Sequence, residues 1–190
     1  MMFSQIPNII TSLRLLLAIP IYIFIYQGNE AIALSLFAVA GLSDWLDGFL
    51  ARKYSWSSSF GEIVDPLADK VLILSTLLAL AFSGLLPFWL VSFLLARDAI
   101  IVMGAIAYLM LFEGNNSLPN RWGKHYNGWT IALFIIVLLQ GLLYEHILLS
   151  FINILYPIAV LGVLFFLLMS LLNYFKDQGS KIYAKLFTND

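Results

Sequence analysis

The chain has 190 residues, of which 62% are hydrophobic and only 11% are charged, with a net charge of −1 and a mean hydropathy of +0.92. A soluble domain is about half apolar and about a quarter charged, so this composition excludes a water-soluble globule, and the net charge argues against broad nucleic-acid binding. The sequence contains no cysteine, which excludes disulfides, thiolate metal ligands and a thiol nucleophile.

Six apolar stretches follow one another along the chain, each about as long as a helix that crosses a bilayer. They span residues 6–26, 31–52, 62–85, 88–112, 129–148 and 151–175. A helix satisfies its own backbone in lipid, and these continuous runs do not alternate as barrel strands do, so all six are predicted to be helices. The expected fold is an all-α integral membrane protein with six transmembrane helices in one domain, residues 1–175, followed by a cytoplasmic tail, residues 176–190.

The basic residues predict the orientation in the membrane. Arg52 and Lys53 lie at the break after the second stretch, beginning with its last residue. Arg121 and Lys124 follow the fourth stretch and three lysines follow the sixth, whereas the other breaks contain no lysine or arginine. Since cytoplasmic loops are enriched in lysine and arginine, both termini are predicted to be cytoplasmic. The first stretch lacks the basic leader and cleavage site of a signal peptide, so we expect it to remain as a span. The lack of a presequence favours a bacterial cytoplasmic membrane.

Four aspartates, Asp44, Asp47, Asp65 and Asp69, lie at the predicted cytoplasmic ends of the second and third stretches. An aspartate at the centre of a membrane helix costs about 2.5–3.5 kcal/mol, so even at a shallow depth four of them need neutralisation. Helical periodicity puts two carboxylates on one face of each helix. Two divalent cations would balance the charge, and oxygen-only ligands favour Mg²⁺ or Mn²⁺. Paired ions of this kind activate an attacking oxygen and neutralise a leaving phosphate.

Small residues and one arginine accompany the carboxylates. Gly48 and Ala51 leave room for a ligand on the carboxylate face, and Gly61 permits close approach. Arg52 can bind a phosphate with two hydrogen bonds. The alternative for the three small residues is helix–helix packing.

Together these residues form the motif Asp44-x2-Asp47-Gly48-x2-Ala51-Arg52-x8-Gly61-x3-Asp65-x3-Asp69. This motif resembles the complete signature of the CDP-alcohol phosphatidyltransferases. The resemblance implies an integral membrane enzyme, typically a homodimer, that transfers a phosphatidyl group from CDP-diacylglycerol to an alcohol and releases CMP. It also implies that the four aspartates bind the two metal ions and that Asp69 accepts the proton of the acceptor hydroxyl. The remaining motif residues, Gly48, Ala51, Arg52 and Gly61, would form the cytidine-diphosphate pocket.

The first stretch opens with Pro7-Asn8-x2-Thr11-x2-Arg14. This pattern resembles the opening of the phosphatidylglycerophosphate synthases and of the related cardiolipin synthases. The resemblance implies that Asn8 and Thr11 bind the donor and that Arg14 binds the acceptor. The alternative is a helix cap followed by an arginine whose charged end reaches the membrane surface.

The acceptor is to be inferred from basic residues outside the motif. Arg97 and Asp98 are adjacent in the fourth stretch and therefore do not share a helix face. We expect Arg97 to bind an anion rather than be neutralised by Asp98; a structural ion pair is the alternative. Arg121 and Lys124, in the predicted loop, are expected to bind the same acceptor, and ordinary positive-inside bias is the alternative.

These basic residues favour a phosphorylated acceptor. Together with the resemblance of the first stretch to the phosphatidylglycerophosphate synthases, they imply glycerol 3-phosphate, with phosphatidylglycerol as the second candidate. The second candidate stays open because Arg97-Asp98 resembles the cardiolipin-synthase branch. The residues after Gly123, Lys124-His125-Tyr126-Asn127, also depart from the lysine-x-lysine-threonine of the glycerophosphate branch.

Two other classes of membrane protein also place carboxylates in spans. A divalent-cation channel or transporter would place them near the membrane midplane, often on interrupted or repeated helices. A membrane prenyltransferase uses two aspartate clusters with magnesium but does not account for the glycines, alanine and arginine of the motif. His125 and His146 lack ligand spacing and are predicted to be solvated or at the lipid interface.

Overall fold

The computed structural model of the chain describes residues 6–54, 59–111, 121–144 and 147–179. These residues form the helices α1 (Ile6–Tyr26), α2 (Glu30–Tyr54), α3 (Ser59–Phe82), α4 (Phe88–Leu111), α5 (Arg121–Leu142) and α6 (Leu149–Tyr174), and a π-helical turn follows at Phe175–Gly179. The described ranges contain no β-strand. The prediction of an all-α fold with six helices is confirmed.

The turn between α1 and α2 shows how local sequence ends one helix and begins the next. Gly28 has a φ of +71°, a conformation that favours glycine. Its N–H donates to the carbonyl of Ile25 at 3.1 Å, and the N–H of Asn29 donates to that of Phe24 at 2.9 Å. This pair of bonds closes the end of α1 as a Schellman motif. The Asn29 side chain then accepts a 3.4 Å bond from the N–H of Ile32 in the first turn of α2.

The first of two compact units contains α1, α2 and α3, together with the last turns of α5. Within it, α1 packs against both α2 and α3. Several alanines of these helices are buried, namely Ala18, Ala33, Ala40, Ala68 and Ala79. Small side chains let helix backbones approach closely, so this unit brings polar groups on three helices within reach of one another.

The second unit contains α4, most of α5, and α6. Here α4 packs against α6. Its buried apolar side chains include Leu90, Leu94, Phe134, Val163 and Leu167. Three charged or polar side chains, Arg97, Thr130 and Ser170, are buried among them.

Three described segments are long and apolar enough to cross a bilayer: Phe88–Tyr108, Arg121–Leu142 and Leu149–Asp177. Ser12–Tyr26 is apolar but shorter. Large apolar side chains such as Leu16, Ile19 and Leu161 are exposed, as lipid-facing residues of a membrane protein are. That all six helices cross the bilayer, with both termini in the cytoplasm, stays a prediction.

The fifth helix begins earlier than the sequence predicts. Its apolar stretch begins at Trp129, whereas α5 begins at Arg121, so Arg121 and Lys124 lie on a helix and not in a loop. The physical reason is that hydropathy reports the lipid-compatible part of a helix, while the backbone hydrogen-bond ladder continues through polar residues outside it. The predicted tail, residues 176–190, lies mostly outside the described residues.

Candidate active site

A buried arginine joins two aspartates of the motif. The side chain of Arg14 in α1 is 1% exposed, and its Nη1 lies 2.8 Å from Oδ1 of Asp44 in α2. The same nitrogen donates a 2.6 Å hydrogen bond to Oδ1 of Asp69 in α3. Because both oxygens contact one nitrogen, the first and last carboxylates of the motif lie close together.

Small buried residues flank each member of this Arg14–Asp44–Asp69 cluster. Ala18 lies one turn after Arg14, Ala40 lies one turn before Asp44, and Ala68 directly precedes Asp69; all three are buried. The close approach of α1 to α2 and α3 at these alanines lets one guanidinium contact both carboxylates.

The cluster is closed on one side and open on the other. The Asp44 and Asp69 side chains are 52% and 47% exposed, while Arg14 is buried. A ligand can therefore approach the two carboxylates from outside. The guanidinium offsets their charge from within, where unpaired carboxylates would be costly.

The rest of the motif lies on the same two helices. Asp47, Gly48, Ala51 and Arg52 fall in the last turns of α2, and Gly61 and Asp65 fall in the first turns of α3. Asn8 and Thr11 lie in the first turns of α1. The side chains at these positions lie outside the described part of the structure, so their predicted roles stay predictions.

The described carboxylates fit a divalent cation. Asp44 and Asp69 present oxygens that converge on a positive charge, and Mg²⁺ and Mn²⁺ prefer oxygen donors. Among the described residues no group of three or more acidic or histidine side chains converges on one point. The predicted site for two ions also needs Asp47 and Asp65, whose side chains are among those not described.

Arg97 in the second unit is paired with Asp98, whereas the sequence predicted that the two would not neutralise each other. Its role in binding an anion stays a prediction. Its Nη1 donates to Oδ1 of Asp98 at 2.7 Å. Adjacent Cβ atoms do diverge on a helix, but the long arginine side chain bends back far enough to contact the carboxylate. Arg97 and Asp98 therefore form an ion pair, which was the alternative interpretation of the sequence.

Two further residues contact Arg97, and neither is predicted from the sequence as its partner. Its Nη2 donates to Oγ of Ser170 in α6 at 2.6 Å. Its guanidinium lies 4.0 Å from the ring centre of Tyr126 in α5, a cation–π contact. Arg97 is 6% exposed. A signal in the sequence was Ser170 within the largely apolar sixth stretch, because polar groups in membrane helices tend to face protein partners.

Arg121 and Lys124 are exposed on the first turn of α5. Lys124 lines a cavity of about 300 Å³ together with His125, Gly128, Trp129 and Ala132. The exposed His125 also packs against Phe166 of α6, with ring centres 5.4 Å apart. Both basic side chains are thus accessible to an anion, whereas Arg97 is enclosed.

Comparison with known proteins agrees with the family resemblance of the motif. The sequence profile of the CDP-alcohol phosphatidyltransferase family matches residues 4–165, which include the whole motif. A protein of Drosophila melanogaster named probable cardiolipin synthase (CMP-forming) is 41% identical over 110 residues, which cover 56% of this chain and 34% of that protein. A cardiolipin synthase (CMP-forming) of Streptomyces coelicolor is 40% identical over 105 residues, 52% of this chain and 48% of the relative.

A relative from Mycobacterium tuberculosis, named probable phosphatidylglycerophosphate synthase, is 34% identical over 127 residues, 63% of this chain and 58% of that protein. The matched segments therefore span from about a third to less than two thirds of these relatives. The profile match covers most of this chain and contains all eight motif residues. The chain belongs to the CDP-alcohol phosphatidyltransferase family.

Proposed function

We propose that the protein is a membrane enzyme of phospholipid synthesis that transfers a phosphatidyl group from CDP-diacylglycerol to an alcohol and releases CMP. The observation that carries this proposal is the convergence of Asp44 and Asp69 on the guanidinium of Arg14. It brings the two ends of the family motif, on two different helices, to one open cluster of opposite charges. Family membership supports the reaction class.

The chemistry follows from the residues of the motif. Asp44, Asp47, Asp65 and Asp69 would hold two divalent cations, Mg²⁺ or Mn²⁺, which supply positive charge to the diphosphate. Asp69 accepts the proton of the acceptor hydroxyl, and the hydroxyl oxygen forms a bond to the phosphorus that carries the diacylglycerol. The bond from that phosphorus to the CMP oxygen breaks. Arg52 binds the phosphate of the departing nucleotide.

Arg14 suits a positioning role better than the acceptor-binding role that the sequence predicts. Its guanidinium faces two carboxylates and is 1% exposed, so an additional anionic ligand would compete with Asp44 and Asp69 for it. In this proposal it holds the carboxylates of Asp44 in α2 and Asp69 in α3 in the arrangement that the reaction uses.

Glycerol 3-phosphate is the proposed acceptor, and phosphatidylglycerol is the second candidate. The exposed Arg121 and Lys124 supply the charge that a phosphate group needs. Arg97 contributes less as an anion binder, because Asp98 and Ser170 occupy its two terminal nitrogens. The second candidate is kept because relatives named cardiolipin synthase match as strongly as those named for the glycerophosphate reaction.

The proposal includes the membrane arrangement. All six helices cross the bilayer, both termini and the active site face the cytoplasm, and two copies form a homodimer in a bacterial cytoplasmic membrane. Three apolar segments of spanning length and the distribution of basic residues support this arrangement.

The deciding experiment measures CMP release by the purified protein. CDP-diacylglycerol is supplied with glycerol 3-phosphate or with phosphatidylglycerol, in separate reactions, with Mg²⁺, with Mn²⁺ or with EDTA. We expect metal-dependent release with glycerol 3-phosphate. Release only with phosphatidylglycerol would reverse the order of acceptors. Metal flux in proteoliposomes without CMP release from any acceptor would overturn the enzyme proposal in favour of a divalent-cation channel or transporter.

A further inference from the structure

Arg14 lies where a cation that joined Asp44 to Asp69 would have to bind. Its Nη1 is 2.8 Å from Oδ1 of Asp44 and 2.6 Å from Oδ1 of Asp69. Both oxygens contact the same guanidinium nitrogen, so a metal ion that bridged these two oxygens would need the place of that nitrogen. The guanidinium and a divalent cation are therefore alternative partners for one pair of oxygens.

The charge of Arg14 also acts on a metal ion at the remaining carboxylate oxygens. Each carboxylate has a second oxygen that can accept a metal ion. An ion that used those oxygens would still lie beside the guanidinium. The Arg14 side chain is 1% exposed, so water screens its charge little, and like charges repel more strongly in such surroundings than in water. Arg14 therefore weakens metal binding at either set of oxygens.

Arg14 also holds the two carboxylates together, which by itself would favour metal binding. This contribution is the smaller one, because packing of the helices already brings the carboxylates close. α1 packs against both α2 and α3, and Ala18, Ala40 and Ala68 are buried beside the cluster. Removing the guanidinium leaves this packing of small residues in place, whereas it removes the whole of the competing charge.

We propose that Arg14 is a built-in competitor of divalent cations at Asp44 and Asp69 and thereby sets the metal affinity of the site. The inference rests on the proposed function, since it takes the motif aspartates as metal ligands. The guanidinium compensates the two carboxylates beside lipid, where an uncompensated charge is costly, and gives up its contacts with the Oδ1 atoms when a metal ion binds. Arg14 thus stabilises the first unit and weakens metal binding.

A binding titration of the full chain tests the competition. The purified protein in phosphatidylcholine nanodiscs is titrated with Mn²⁺, and the free ion is measured by electron paramagnetic resonance. We expect Arg14→Gln to lower the Kd for Mn²⁺ about tenfold, within the usual range of coupling between two binding events. A Kd that is unchanged or higher in Arg14→Gln would overturn the proposal.

Lys70→Gln is the matched control for this titration. It removes the same charge directly next to Asp69, but Lys70 is exposed, where water and salt screen its charge. We expect it to change the Kd by less than about threefold. An equal gain in affinity in both variants would show that net charge, and not the buried bridge, sets the affinity, and would also overturn the proposal.

Thermal unfolding provides a readout that involves neither turnover nor the free ion. In EDTA, Arg14→Gln should melt below the original protein, and added Mg²⁺ should raise its Tm by more than it raises that of the original protein, because a tighter ligand stabilises the fold more. The variant is purified in Mg²⁺, which replaces the missing counter-charge. A variant that does not fold in saturating Mg²⁺, or that gains no more than the original protein, would contradict the competition.

The two proposals fail in different ways. Mn²⁺ binding that Arg14→Gln leaves unchanged or weakens would overturn the competition and leave the metal site and the transfer reaction standing. The absence of Mn²⁺ binding in the original protein and in both variants would overturn the competition together with the proposed metal site. CMP release, measured separately, decides the reaction.

Discussion

Arg14 and Asp69 are 55 positions apart in the chain, yet the Nη1 of Arg14 donates a 2.6 Å hydrogen bond to the Asp69 carboxylate. The same nitrogen contacts Asp44, so one side chain of α1 joins α2 to α3. The carboxylates are half exposed and the arginine is buried. This arrangement ties the stability of the first unit to the geometry of the candidate active site.

Replacing Arg14 should therefore lower stability. Arg14→Gln leaves two carboxylates facing each other without their counter-charge, and hydrogen bonds to charged groups are worth about 1.5–3 kcal/mol. We expect a loss of that order in the free energy of unfolding, measured by thermal or denaturant unfolding in detergent, with partial recovery in Arg14→Lys. Lys70→Gln, which removes an exposed positive charge next to Asp69, is the control and should change stability by less than about 0.5 kcal/mol. Unchanged stability in Arg14→Gln would contradict the bridging role.

Asp69→Asn should separate chemistry from binding. The amide cannot accept the proton of the acceptor hydroxyl, and general-base catalysis contributes about 10²–10⁴ in rate. We expect kcat for CMP release to fall by about that factor while binding of the CDP-lipid is largely kept. Asp177→Asn makes the same chemical change at an exposed residue of the π-helical turn and should retain activity. Normal turnover in Asp69→Asn would reject the base assignment.

Ser170→Ala tests the buried contact with Arg97 in the second unit. The 2.6 Å bond from the Arg97 Nη2 to the Ser170 hydroxyl is buried, and a hydrogen bond to a charged group contributes about 1.5–3 kcal/mol. We expect the free energy of unfolding to fall by that order. Ser92→Ala removes an exposed hydroxyl bonded to its own helix and should have little effect. Equal stability of the two variants would show that the contact contributes nothing.

Gly162→Ala tests the packing of α6 against α5. A Cβ at Gly162 would lie 2.4 Å from the Trp129 ring, which itself stacks on Phe166 at 6.0 Å. Forcing that ring aside should cost about 1–3 kcal/mol. At Gly128, also on a helix, a Cβ meets no atom within 4 Å, so Gly128→Ala should be neutral or stabilise by up to about 1 kcal/mol. Unfolding of the two variants under the same conditions provides the comparison.

The helices and the family were predictable from the sequence for separate physical reasons. The chain has six long apolar runs and only 11% charged residues. In lipid such runs satisfy their backbone hydrogen bonds by forming helices. Eight residues at fixed spacing identify the family because metal and phosphate chemistry tolerates few substitutes. Helix ends were less predictable. The fifth apolar stretch begins at Trp129, but α5 begins eight residues earlier, at Arg121.

Sequence alone therefore determined the all-α architecture, which follows from local hydropathy, and the family, which follows from the spacing of the motif residues. The roles of the individual carboxylates stay predictions. Only the tertiary structure decided that Arg14 faces Asp44 and Asp69, and that Asp98, Ser170 and Tyr126 surround Arg97. Most of these partners lie on different helices, and their contacts depend on how closely the helix backbones approach. Spacing along one helix carries no information about that distance, nor about how far a long arginine side chain bends.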